Sequence, residues 1–457
     1  MKGREVLEKQ DQWASKLGFI LATAGSAIGL GAIWKFPYVA GTGGGGAFLL
    51  LFLIFTFLLG YPLLVGEFTI GRHAQSDAIR TYKKLAPHTW WHVTGRIGVL
   101  VSFLVLSFYS VVGGWILLYL IQALSGNLSG LSQAEYGTLF SDIIANPAQT
   151  IIAQFVFILL TILVVAKGIQ QGIEKVSKIM MPILFILFIL LVVRSLMLPG
   201  AGEGVRFLFV PDFAKLTSQT VLYALGQAFF TLTLGVSVMV TYSSYLPKTQ
   251  NIPKSALSIT LLNTFITLLA GLAIFPGAFT FNIQPTAGPP LIFVVLPAVF
   301  ENVPFGSVIF IAFLLLLLFA ALTSAFSMIE IIVATVIKDQ DQKRAKMTWL
   351  IGIAIFIVGI PSCLSYGVLA DFKMFDKTIF DLVDFITSNV LMPIGALLIS
   401  LFISIKVKRS TLMAELQEGS NIKQGFFNVW FFLLRFVTPI AIILVLLDSL
   451  GVFNRFK

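Results

Sequence analysis

The sequence predicts an all-α polytopic membrane protein. Three observations carry that expectation: composition, the length of the apolar runs and the placement of basic residues. The chain is 57% hydrophobic and 11% charged, with mean hydropathy +0.94. Soluble proteins carry about 25% charged residues. Apolar runs recur at roughly 20 residues, the length that crosses a hydrocarbon core about 30 Å thick. Lys and Arg cluster in alternate loops.

The net charge of +10 is spread over these short loops. It reads as membrane topology and not as nucleic-acid binding. The one cysteine, Cys363, excludes an intrachain disulfide and a cysteine-cluster metal site. The first apolar run follows a charged N-terminus without a clear small-residue cleavage signal. It is expected to be a retained span and not a signal peptide.

Eleven spans are expected, near 17–40, 44–70, 97–124, 148–166, 179–197, 217–245, 255–281, 303–337, 347–364, 380–405 and 427–450. A cytoplasmic N-terminus puts Arg72, Arg80, Lys83, Lys84 and Arg96 inside. It does the same for Lys167, Lys175, Lys178, Lys248 and Lys254, for Lys338, Lys343, Arg344 and Lys346, and for Lys406, Lys408, Arg409 and Lys423. The opposite loops 125–147 and 282–302 contain neither Lys nor Arg. This positive-inside pattern predicts a multi-pass protein of the cell inner (plasma) membrane. An odd number of spans leaves the C-terminus outside.

The first span, Leu17–Val39, is long enough to cross but built to break. Gly25, Gly29 and Gly31 fall near its middle and Pro37 near its end. Glycine weakens a helix and proline removes a donor. Open backbone at membrane depth is tolerated where it lines a cavity, while small residues also serve tight helix packing. The sixth span carries a second interruption at Thr231, Thr233 and Gly235. Spans 1–5 and 6–10 thus read as repeats, each opening with a broken helix: 15–200, then 215–405, with 427–450 as an additional helix. Such breaks free carbonyls for a cation and amides for a carboxylate.

Polar residues within the spans leave two readings each. Asn263 in span 7 and the pair Thr323–Ser324 in span 8 serve either interhelical hydrogen bonds or ligation. Glu67, at the end of span 2, reads as a structural clamp on freed backbone amides more readily than as a proton site. Lys35 and Asp384 are either a pair closing an outer vestibule or two separate rim charges. Tyr109 in span 3 carries a hydroxyl suited to a carboxylate. His73, His88 and His92 lie near one loop. No nucleophile–base arrangement or metal-ligand cluster is visible, so an enzyme is not expected.

The segments GSAIGLGAIWKFPYVAGTGGGGAF, YPLLVGEFTIGR, QGIEKVSKIMMP, GQAFFTLTLG, TYSSYL and FAALTS together resemble the neurotransmitter:sodium symporters, over essentially the whole chain. The bacterial amino-acid transporters with eleven spans are the most similar branch. The resemblance implies a leucine-transporter-type fold with inverted five-helix repeats and broken helices 1 and 6. That family is itself the standard example of the paired-break arrangement. It implies a sodium site at Gly25, Ile28, Ala320, Thr323 and Ser324. A second sodium site would use Ala27, Thr231 and Asn263, but Ala32 replaces the family's asparagine and removes one ligand. The resemblance also implies chloride independence here, because Phe52 replaces a tyrosine and Thr267 carries no charge, although Gln227 is kept. Lys35 stands for the family's arginine opposite Asp384. At the inner gate the arginine preceding Trp13 is missing, and Lys338 replaces its acidic partner.

The implied substrate site has Leu30, Gly31 and Tyr109 for a carboxylate. Ala27, Phe230, Thr231 and Thr233 would take an ammonium. Val105, Phe230, Val236, Ser324 and Met328 would meet the side chain. The first span contains no aspartate, which disfavours a monoamine. Val236 stands where a member for small aliphatic substrates has phenylalanine, which leaves room for a larger apolar group. The expected function is sodium-coupled symport of a neutral, apolar amino acid into the cell by alternating access, with no organic cofactor. The alternatives are a single-sodium or differently coupled transporter of an amino-acid-like solute, and a membrane sensor without turnover. The oligomeric state is not legible.

Overall fold

The computed structural model describes residues 12–281, 290–301, 304–338 and 340–453. Among these, the regular structure is helical, and β-pairing is confined to two isolated bridges. Among the described residues, nine helices are long and apolar enough to cross a membrane: Gly46–Ala74, His92–Leu124, Pro147–Val165, Ile169–Leu196, Ile252–Thr280, Gly306–Ile337, Asp341–Tyr366, Ile379–Ile405 and Gln424–Ser449. A tenth span is a bent pair, Lys16–Ala27 and Gly31–Thr42, turned by 53°. Between the fourth and fifth of the long helices after it lie Ser218–Phe230 and Val238–Ser244. Counted as one interrupted span, they complete the expected eleven. Span 8 is one continuous helix, Gly306–Ile337.

The edges differ where polar residues are buried. Span 5 starts at Ile169, ten residues before the expected 179, as a widened turn through Glu174. The QGIEKVSK run lies before the expected span, yet Glu174 is buried and accepts hydrogen bonds from the Ala14 N–H at 2.7 Å and the Ser15 hydroxyl at 2.8 Å. Lys178 pairs with it at 2.6 Å. Span 3 starts at His92 and not 97, because Gly95 packs against the backbone of Ala78 and Ile79. Short helices also occupy the loops. Gln133–Ala145 is announced by a capping box, Ser132 with Glu135.

Spans 3 and 8 pack together at the centre and are the most deeply buried of the long helices. Both interruptions lie against them. Span 1 opens after Ala27, where Ile28 leaves helical geometry (φ −81°, ψ 69°). Span 6 opens through three left-handed residues: Thr233 (φ 53°), Gly235 (φ 87°) and Ser237 (φ 56°). At Gly235 a Cβ would lie 2.5 Å from the Met392 carbonyl, so glycine is required there twice over. The Gly235 N–H donates to Glu67 Oε1 at 3.0 Å. Glu67 is fully buried and its carboxylate meets the freed amide of the neighbouring span.

The basic end of the bundle is closed by a clasp. The helix Arg409–Gln417, after span 10, carries Glu415. Its carboxylate meets Arg72 Nε at 2.6 Å, Lys248 Nζ at 2.8 Å and His73 Nδ1 at 2.9 Å. Arg72 is fully buried and also donates to the Gln250 and Glu415 carbonyls. Burial opposes the Glu415 charge. Hydrogen bonds from Lys248, His73 and Arg72 outweigh it and hold the carboxyl below the usual range. A depressed pKa contributes stability at neutral pH that is lost as pH falls through the folded-state value. Glu415→Gln leaves Arg72 buried without its counter-charge and is expected to cost about 3 kcal/mol. Thermal unfolding in detergent checks this: the variant melts well below the wild type at pH 7, and the difference narrows below about pH 4. Equal melting at pH 7 would remove the clasp.

Candidate ion and solute site

A cavity of about 350 Å³ lies where the two interruptions face spans 3 and 8. Its wall contains Ala27, Leu30 and Gly31 from span 1, Val105 and Tyr109 from span 3, Phe230, Thr233 and Val236 from span 6, and Ser324 and Met328 from span 8. Thr231 is the one sequence-predicted solute residue outside this wall. It is buried, and its hydroxyl donates to the Gln227 carbonyl of its own helix at 3.0 Å. Ser102, Phe108 and Val112 also line the cavity and were missed by sequence reasoning. The signal was available: they lie three or seven residues from Val105, on one helical face.

One end of the cavity is polar. The Leu30 N–H points at the Tyr109 hydroxyl, 3.4 Å away. The Ser26 carbonyl accepts from Ser324 at 3.1 Å and from Thr233 at 3.2 Å. The Gly25 carbonyl accepts from Thr323 at 3.0 Å and from Ser324 at 3.3 Å. Thr323 also reaches the Ala320 carbonyl at 3.1 Å. Gly25, Ala320, Thr323 and Ser324 therefore form one oxygen cluster, with Ile28 at the adjoining helix end. Gly25 can carry no side chain there, since a Cβ would lie 3.0 Å from Thr323 Cβ and 2.9 Å from the Met181 sulfur. Neutral oxygens from carbonyls and hydroxyls, with no thiol or imidazole, suit a hard monovalent cation. Among the described residues no group of three or more His, Cys, Asp or Glu side chains is placed to hold a metal.

The second predicted ion position differs. Ala32 is fully buried. Both amide atoms of buried Asn263 lack a hydrogen-bond partner. The Gln227 side chain donates to the Gly31 carbonyl at 2.8 Å, and its amide oxygen Oε1 is unpartnered. Phe52 packs on Phe36, with ring centroids 5.2 Å apart, and Thr267 donates to the Asn263 carbonyl at 2.8 Å. These polar atoms have the free valence of a site completed by water or an ion.

The two mouths are built separately. Lys35 lies over the Phe230 ring, 4.3 Å from its centroid, and among the described residues it makes no ion pair within 4.0 Å. Asp384 accepts from the Ser388 hydroxyl at 2.7 Å. Both line the cavity, so the expected charge pair is present on one wall without direct contact. At the basic end Trp13 donates to the Tyr242 carbonyl at 2.8 Å, and Tyr245 donates to Glu330 at 2.7 Å. Arg344 pairs with Glu330. The expected loss of an arginine before Trp13 concerns positions outside the described residues.

A family model described as the sodium:neurotransmitter symporter family matches residues 10–136 and 138–457. The chain belongs to that family. This symporter is 66% identical to the sodium-dependent transporter YhdH of Bacillus subtilis (strain 168), over 98% of this chain and 99% of YhdH. It is 36% identical to a sodium-dependent transporter of Haemophilus influenzae, over 97% of this chain and 99% of the relative. Its fold matches the crystal structure of MhsT in complex with L-phenylalanine, with TM-score 0.89 and 45% identity, over 96% of this chain and all of MhsT. The symporter is thus a multi-pass, sodium-dependent transporter of the leucine-transporter fold and not an enzyme.

Gly29 sits against two of the site's hydroxyls. A Cβ there would lie 2.6 Å from Ser324 Oγ and 3.1 Å from the Tyr109 hydroxyl. Gly29→Ala must displace both hydroxyls and is expected to weaken sodium-dependent solute binding about tenfold or more. Equilibrium binding of a radiolabelled amino acid to purified protein measures it. Wild-type affinity in the variant would mean that these hydroxyls do not touch the solute.

Proposed function

We propose that this symporter carries a neutral, apolar amino acid into the cell together with sodium, by alternating access across the plasma membrane. The observation that carries the reading is a single cavity whose polar end is made by two broken helices and whose remaining wall is largely apolar. The half-helix starting at Gly31 presents its N-terminus, which favours a carboxylate, beside the Tyr109 hydroxyl. Carbonyls of Ala27, Phe230 and Thr231, with the Thr233 hydroxyl, would accept the ammonium. Val105, Phe230, Val236, Ser324 and Met328 would enclose the side chain. L-phenylalanine in MhsT supports a substrate of that size and polarity.

Sodium would bind the oxygens of Gly25, Ile28, Ala320, Thr323 and Ser324. The hydroxyls that now donate to the Gly25 carbonyl would rotate to offer lone pairs to the ion. Since Gly25 is on span 1 and Thr323 on span 8, the ion would tie the broken span to the central helices. Ala27, Thr231 and Asn263 remain from the second position, but Ala32 supplies no side-chain oxygen. That missing oxygen at Ala32 is what favours coupling to one sodium, with water meeting the unpartnered Asn263 amide. Phe52 offers no hydrogen bond to an anion, so transport would not require chloride.

In the cycle, sodium and solute together favour an occluded state, with Phe230 and Tyr109 over the solute and Lys35 and Asp384 in the outer mouth. The repeats 15–200 and 215–405 would then move relative to each other, with 427–450 outside this pair. The basic end would face the cytoplasm, where low sodium lets the ion leave. Direction comes from differential affinity of the two states for ion and solute.

Three outcomes test this. Sodium titration of amino-acid transport is expected to give a Hill coefficient near one, and replacing chloride with gluconate to leave the rate unchanged. A coefficient clearly near two would contradict single-sodium coupling. The double variant Thr323→Val, Ser324→Ala is expected to raise the sodium concentration at half-maximal binding at least tenfold, as loss of two ligands implies. An unchanged sodium requirement would move the ion elsewhere.

A further inference from the structure

We propose that the outer face of span 11 holds the phosphodiester of an anionic glycerophospholipid between Arg435 and Arg409. This does not depend on the amino-acid reading above. Arg435 is exposed, although it lies near the middle of the last spanning helix, Gln424–Ser449. It stands about 16 Å along the axis from Gln424, well inside a hydrocarbon core about 30 Å thick. Among the described residues it makes no hydrogen bond and no ion pair. Its guanidinium lies 6.0 Å from the Phe431 ring centroid and 5.4 Å from that of Phe436. Charges at membrane depth almost always face the bundle interior or a counter-charge. One on the outer face needs a partner from the bilayer side.

The helix is built to turn Arg435 outward. It widens over Leu433–Val437, where the Thr438 N–H reaches the Leu433 carbonyl. Pro439, four residues after Arg435, has no N–H to return to the Arg435 carbonyl. The Leu434 carbonyl is released by the same widening, and Ser400 of span 10 donates to it at 2.5 Å. Leu434 is fully buried, so its neighbour in the widened turn takes the opposite face. Such turns often mark functional positions. Long helical side chains point back toward the helix N-terminus, here the basic end.

A second cation meets Arg435 there. Arg409, exposed at the start of the clasp helix, lies 5.0 Å from the same Phe431 centroid and 5.4 Å from that of Phe427. It spends one N–H on Asn428 Oδ1 at 2.5 Å. Distances of 5.0 and 6.0 Å to one ring put the two guanidinium carbons within about 11 Å of each other. A phosphate flanked by two guanidinium groups closes such a gap with small side-chain adjustments. The guanidinium fork matches phosphate oxygens in pairs. Depth fixes the source of the phosphate. Phe432, Phe436 and Ile440 are 55%, 50% and 61% exposed, a surface for an acyl chain and not for a free ion. The span's own acidic residue, Asp448, is about 20 Å further along the axis. A second copy of the chain, docked through this face by a two-fold axis, would set Arg435 against its own image.

The test is lipid retention by the purified full chain. The protein is equilibrated in detergent with equal amounts of phosphatidylglycerol and phosphatidylcholine and washed on a column. Its bound lipid is then extracted and counted by mass spectrometry. The wild type is expected to keep phosphatidylglycerol over phosphatidylcholine by about tenfold. Arg435→Gln should bring that ratio close to one, and Arg409→Gln should lower it severalfold. Lys423→Gln removes a basic residue of the same end outside the pair and should leave the ratio unchanged. An unchanged ratio in Arg435→Gln would overturn the inference. So would an equal loss in Lys423→Gln, which would mean diffuse attraction to a basic surface. Where Arg435→Gln fails to assemble, a wash of the wild type in about 1 M salt decides, since screening there acts beyond about 3 Å. A phosphate held in direct contact keeps its preference, and a preference lost to salt would overturn the inference. Excess inorganic phosphate should not release the lipid, and release would overturn the assignment to a phospholipid.

Discussion

A helix interrupted inside a bilayer must find partners for the backbone groups it releases, and the rest of this structure is arranged around two such interruptions. The surrounding hydrocarbon offers them none. Glu67 meets the Gly235 amide, Gln227 meets the Gly31 carbonyl, and Thr233, Thr323 and Ser324 meet the carbonyls of Gly25 and Ser26. Each partner comes from a different span from the group it satisfies. The broken segments are thereby held by side-chain bonds, which exchange more easily than a helical ladder. An ion or a solute carboxylate can replace such a bond without unfolding a helix. Binding and conformational change then act on the same atoms.

The two ends of the molecule are fastened differently. At the basic end, Glu415 gathers Arg72, His73 and Lys248, while Glu174 holds the backbone just before span 1. Gly18 makes room for the Glu174 carboxylate, since a Cβ there would lie 2.1 Å from it. At the other end, among the described residues, no charge pair of comparable closeness joins span 1 to span 10. Lys35 rests on the Phe230 ring, and Asp384 bonds within its own helix. The basic end is closed by several buried charges, whereas at the opposite end of the cavity Lys35 rests on an aromatic ring.

Much of this was legible in the sequence because the relevant physics is local. Glycines at 25, 29 and 31 weaken one span wherever it packs, and apolar length counts the spans. Glu67 in a span demands a partner whatever the fold. What was not legible depends on distant contacts. The QGIEKVSK run looks like loop until Glu174 is seen to be buried against Ala14 and Ser15. Arg409–Gln417 has a polar sequence, and only Arg72, from span 2, makes a clasp of it. The Thr231 hydroxyl donates to the Gln227 carbonyl of its own helix, a local bond that the sequence does not announce. Ser102 is one serine among several in span 3, and only the cavity distinguishes it.

The most direct measurement is accumulation of labelled phenylalanine and tyrosine in sealed proteoliposomes under an imposed inward sodium gradient. Coupled symport predicts an internal concentration above the external one, which collapses when a sodium ionophore dissipates the gradient. Binding without accumulation, or accumulation indifferent to sodium, would contradict the role given to the oxygen cluster between span 1 and span 8.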